Sequence, residues 1–145
     1  MNLIKTLLIV FGLIVMFSAC GGSSSSKGTA ANLVIPKLEI KVHGSEGNNP
    51  EVLLPLLIWP SFEYKRIPTN HKTKVEHCLI TESEGVEINI GSKVEVLDEA
   101  RCLYVRLNSV EGAPKSYSTG IMRIRVVETG EEGWTWSKAV EFDSK

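Results

Sequence analysis

Helical periodicity is missing from this 145-residue chain, and so are the residue groupings that mark most enzymes. No stretch repeats apolar residues at sustained spacings of three and four, so no amphipathic helix is expected. Only 3 cysteines and 3 histidines occur, without CxxC or HxxxH spacing. A zinc ion needs three or four convergent ligands, so no metal site is expected. There is no glycine-rich phosphate loop, and the many acidic residues form no recognisable acid–base pair. An enzyme is therefore not expected, nor a cofactor. Neither sign of charge dominates: 16 Lys plus Arg against 17 Asp plus Glu give a net charge of −1. That balance supplies no electrostatic reason to bind nucleic acid. An apolar run of the ~20 residues needed to cross a bilayer core is absent as well, since the apolar stretch ends at Phe17.

What is present starts with a leader. Met1 to Lys5 carries one positive side chain, Thr6 to Phe17 is an apolar run, and Ser18-Ala19-Cys20-Gly21 sets small residues around a cysteine. This is the layout of a secretory signal over residues 1–19. Phe17 stands where ordinary signal-peptidase cleavage after Ala19 needs a small residue. Phe17-Ser18-Ala19-Cys20 resembles the lipobox of bacterial lipoproteins, in which leucine is more usual at the first position. The resemblance implies a diacylglyceryl thioether and an acylated amino group on Cys20. Each buried methylene contributes about 0.8 kcal/mol, so several chains together anchor firmly. Gly21 following the cysteine implies sorting to the outer membrane, with the folded part in the periplasm or at the cell surface. Residues 20–32, which include GGSSSSKGTAAN, read as a flexible tether with an r.m.s. span of roughly 20 Å.

From Leu33 onward the period is two. Leu38, Ile40 and Val42 alternate with polar residues, as do Val86, Ile88 and Ile90, then Val94 and Val96, Leu103, Val105 and Leu107, and Met122, Ile124 and Val126. These segments predict antiparallel strands with one buried face. Turn chemistry separates them at 44–50, 83–85, 98–99, 111–120 and 129–130. Val52 to Tyr64 is strongly apolar but interrupted by Pro55 and Pro60, which predicts an edge strand or a packed irregular segment. The domain is expected to be all-β, with residues 33–72 as an N-terminal β extension and residues 73–145 as the main β domain.

With Cys20 assigned to lipid, Cys78 and Cys102 remain as an even pair in an oxidising compartment, which predicts a disulfide; two separate buried thiols are the alternative. In a strand, His77 and Cys78 point to opposite faces and cannot share one ion. Lys65, Arg66, His71, Lys72 and Lys74 form a basic run, either a solvated face or a contact for lipopolysaccharide, peptidoglycan stem carboxylates or an acidic partner. Trp134 and Trp136, two apart, share a face that could hold a sugar or peptide, or pack in the core. Tyr104 and Tyr117 are candidates to extend that surface. The apolar stretch from Leu53 to Trp59 is a candidate edge for docking a partner strand.

The C-terminal half resembles bacterial Src-homology-3-like domains. Gly91 to Leu97 is similar to the glycine-led strand that opens their middle hairpin. Arg123 to Val127 and Glu128 to Trp134 are similar to the next strand, its tight turn and the Gly-Trp strand, and Ser137 to Phe142 to the closing strand. The resemblance implies a small antiparallel barrel, with a small β-sandwich as the alternative. It also implies recognition of cell-wall peptide or a protein partner, with Trp134 nearest the binding surface. The expected function is thus a non-catalytic envelope module that binds peptidoglycan or an envelope protein. A structural or assembly lipoprotein of a secretion or pilus-type complex is the second expectation.

Overall fold

Alternating side chains can bury one face only if the chain runs extended, and that is how most of the alternating segments fold. In the computed structural model, residues 28–40, 49–69 and 72–143 are described. The strands are β1 (Thr29–Leu33), β2 (Lys37–Glu39), β3 (Glu51–Leu53), β4 (Leu57–Ile58), β5 (Glu63–Pro68), β6 (Lys74–Thr81), β7 (Val86–Glu87), β8 (Lys93–Glu99), β9 (Tyr104–Asn108), β10 (Lys115–Tyr117), β11 (Ile121–Val126), β12 (Glu132–Trp136) and β13 (Val140–Phe142). The expected signal over residues 1–19, Cys20, the tether as far as residue 27, Val42 and His71 all lie outside the described residues.

A five-stranded sheet has the order β12-β11-β8-β1-β13, and a four-stranded sheet the order β10-β9-β6-β5. Two short pairs, β2-β3 and β4-β7, complete the set. Leu33, Val94, Ile124 and Val126 come to the core from the first sheet, and Cys78, Ile80, Val105 and Leu107 from the second. The domain is all-β. Among the described residues the five-stranded sheet does not close on itself, so the expected barrel is replaced by its alternative, a small sandwich-like arrangement. Strands fall where the barrel comparison placed them, at β8, β11, β12 and β13. The open sheet instead covers its apolar face with side chains of the four-stranded sheet, which share one core with it.

Three further departures have physical causes. β6 and β9 pair in parallel, with His77 opposite Tyr104 and Ile80 opposite Leu107. Parallel neighbours need a crossover connection, and here the chain crosses to the other sheet as β8 before returning. β1 takes four residues from the stretch expected as tether: Thr29 to Asn32 pair with β8, and Ala31 to Leu33 with β13. Small side chains let this strand sit between two neighbours, and Ala31 and Leu33 are buried there. β1 lies between β8 and β13 in the five-stranded sheet. Finally, residues 111–120 are not all loop, since β10 pairs with β9 along Lys115 to Tyr117.

The irregular segment around Pro55 and Pro60 is packed rather than free. Leu54, Leu57, Ile58 and Trp59 are all buried. Trp59 and Trp134 exchange two backbone hydrogen bonds, at 2.8 and 2.7 Å, which add this segment to the outer side of β12. Gly133 permits the approach: a Cβ there would lie 2.6 Å from Ile58 Cγ1 and 2.7 Å from the Trp59 carbonyl oxygen. The β11–β12 turn uses Gly130 at a φ of 74°, a conformation that costs glycine little.

Candidate functional site

The cysteine pair forms as expected. Cys78, in the middle of β6, bonds to Cys102, just before β9, with Cα atoms 5.6 Å apart. Both lie in the core, so the cystine is structural in position. His77 projects to the other face of β6, as strand geometry requires. Among the described residues, no group of three His, Cys, Asp or Glu side chains could hold a metal ion.

The five aromatic candidates separate sharply. Trp59 and Trp136 are both 0% exposed and meet edge to face, with ring centroids 5.4 Å apart. Their indole N–H groups donate to the carbonyls of Thr81 and Pro55, at 2.9 and 2.8 Å. With ring and polar tip both satisfied, neither can meet a ligand; they are core residues. Tyr117 is half-buried with its ring edge-on to Trp136. Trp134 is also half-buried, and Phe62 packs edge to face against it at 4.7 Å. The pair Trp134 and Trp136 therefore makes no shared platform. Tyr104 is 37% exposed and stacks on the His77 ring at 5.4 Å.

The apolar edge from Leu53 to Trp59 is not available for strand addition. Leu57 and Ile58 pair with β7, Trp59 bonds to Trp134, and Thr135 Oγ1 donates to the Leu57 carbonyl. Leu54 N–H donates to Pro36, and Ile88 N–H to Leu56. Its backbone groups are already spent within the fold.

Tyr104 belongs to a larger surface that pairing creates. Residues directly opposite in neighbouring strands project from one face. On the face of the four-stranded sheet turned away from Cys78, Lys65, His77 and Tyr104 form one row across β5, β6 and β9. Glu63, Leu79, Arg106 and Ser116 form the next. His77 is buried beneath this layer, and its Nδ1 lies 3.1 Å from the Val75 carbonyl, which only an N–H at Nδ1 can satisfy. A groove of about 370 Å³ runs beside the rows, between Lys65, Ile67, Leu79, Arg106 and Asn108. Of the expected basic run, Lys65 contributes here, paired with Glu63 at 3.8 Å. On the opposite side of β5, the Glu76 carboxylate accepts the Tyr64 hydroxyl and raises its pKa.

The other sheet carries its charges in closed pairs. Arg125 donates to Glu132 at 2.8 Å and to Glu95 at 3.1 Å, and Arg123 donates to Glu132 at 2.9 Å. The Arg125 hydrogen bond holds the Glu132 carboxyl below its ordinary value, and Glu132 in turn raises Arg125. Sequence reading missed Arg106 and His77 as surface partners of Tyr104. The alternation within β5, β6 and β9 held the signal, but the parallel pairing that aligns the rows was not legible.

Comparison of the chain with protein-family models, with curated proteins and with solved structures returns no match in any of the three.

Proposed function

We propose that this chain is an outer-membrane lipoprotein, anchored through Cys20, whose β domain is a non-catalytic binding module for peptidoglycan or an envelope protein. The observation that supports a binding role is the outer face of the four-stranded sheet. There an exposed tyrosine is pre-stacked on a histidine, near a groove lined by Lys65, Arg66 and Arg106 together with Ile67 and Leu79. Aromatic rings backed by a fixed neighbour offer contact area at little entropic cost. Trp134 with Phe62 is a second, half-buried aromatic position, and the pair of surfaces can be told apart by mutation.

The test is retention of the full chain, purified from its native host, on isolated sacculi. Retention that Tyr104→Ala reduces and Trp134→Ala leaves unchanged supports the sheet face. The reverse pattern assigns Trp134 instead. No retention by the wild type counts against the peptidoglycan reading. Mass spectrometry of the same sample checks the anchor: an intact Met1 or an unmodified Cys20 overturns the lipoprotein assignment.

A second reading, a structural component of an envelope assembly, is favoured by exposed aliphatic residues such as Ile90, at 62%, and Val110, at 70%. It expects no retention on sacculi and co-purification of a defined complex after crosslinking.

A further inference from the structure

Two arginines of the described residues are half-buried, and their charges are handled in opposite ways. Arg125 lies between Glu95 and Glu132, with both carboxylates within 3.1 Å. Arg106, at the centre of the outer face of the four-stranded sheet, has no ion pair or hydrogen bond to any side chain among the described residues. Its neighbours across the strands are Leu79 on β6 and Ser116 on β10. The one carboxylate in its row, Glu63, is engaged by Lys65. A partly desolvated guanidinium without a counter-charge is a standing cost, and an incoming anion would offset it.

We infer that the groove beside Arg106 binds a carboxylate at the end of a short peptide, held by the Arg106 fork. The inference rests on the reading of this face as the module's binding surface. Arginine presents two parallel N–H groups, a match for the two oxygens of a carboxylate. Asn108, at one end of the groove, supplies an amide that can pair with a peptide group. Leu79 and Ile67 line the groove between the polar positions and suit a small aliphatic side chain next to the carboxylate. Tyr104 lies outside the groove, one row from Arg106 on the same strand and the same face. Acidic stem peptides of the cell wall have this chemistry: short, with free carboxylates beside methyl-bearing residues.

The experiment titrates the full mature chain, in detergent micelles, with soluble muropeptides released from sacculi. One batch keeps its free carboxylates, and the other is amidated with carbodiimide and ammonium. The free-acid form is expected to bind at least tenfold more tightly. Arg106→Gln should remove that preference, Arg106→Lys should retain part of it, and both variants should keep the wild-type Tm. Equal affinity for the two forms, or wild-type affinity in R106Q, overturns the carboxylate assignment and leaves the module reading standing. Tighter binding of glycerol phosphate than of free-acid muropeptide overturns it in favour of phosphate. Binding of neither form overturns it too, and where retention on sacculi is also absent the module reading falls with it.

Discussion

Breaking the Cys78–Cys102 bond should cost the fold about 3.5 kcal/mol. The bond joins residues 24 apart in sequence, so it closes a loop of 25 residues. In the chain-entropy treatment such a loop removes roughly 12 cal/mol/K from the unfolded ensemble, which gives that figure at room temperature. The folded part spans residues 28–143, a size at which each kcal/mol moves Tm by about 4 °C. Reduction should therefore lower Tm by about 14 °C. The cleanest comparison refolds the wild type from denaturant with and without a phosphine reductant, so that no atom is removed from the core. The double variant Cys78→Ala/Cys102→Ala should fall further, because Cys78 is 0% exposed and its sulfur fills core space. Differential scanning calorimetry on the three samples reads all of this. A drop of less than about 4 °C on reduction would refute the reasoning. It would mean that the crossover from β6 to β9 is already constrained in the unfolded chain.

Gly133→Val should destabilise by about 1–3 kcal/mol through overpacking, because its Cβ would press on a backbone oxygen that cannot turn away. Urea melts followed by tryptophan fluorescence should show it, and a wild-type midpoint would contradict the close approach. Trp136→Phe strands the Pro55 carbonyl inside the core, which should cost about 1–3 kcal/mol, readable in the same melts. Glu132→Gln tests the charge network by pH. A carboxyl whose folded pKa is depressed stabilises fully above its unfolded value and loses that contribution as pH falls through the folded one. The variant should thus melt below the wild type at pH 7, and the two curves should converge as pH falls through the depressed value of the folded state. A gap that persists in acid would assign the role of Glu132 to packing rather than charge.

Local chemistry made the strand content readable. Alternation at Val94, Val96, Val105 and Leu107, and the turn at Thr129-Gly130, are decided within a few residues, and the structure follows them. The cystine was legible for the same reason: two thiols on neighbouring strand-like segments have few other partners. Parallel pairing of β6 with β9 was not, because it depends on a crossover of more than twenty residues that no local pattern records. The contact of Trp59 with Trp136 also escaped, since two indoles in short segments far apart in sequence meet only after β4 has been added to β12. Thr29 to Asn32 read as tether because their side chains are small and polar or nearly so. Their backbone groups hold them in the sheet, helped by the burial of Ala31 and a hydrogen bond from Asn32 to Asp143.

Pairing of β1 with β13 ties the earliest described strand to the latest. β1 finds its first neighbour only when β8 exists and its second only when Val140 to Phe142 have been made. A ribosome that has released the first hundred residues has therefore produced a chain still unable to complete its larger sheet. The larger sheet thus depends on a contact between strands more than a hundred residues apart, Ala31 with Phe142 among them.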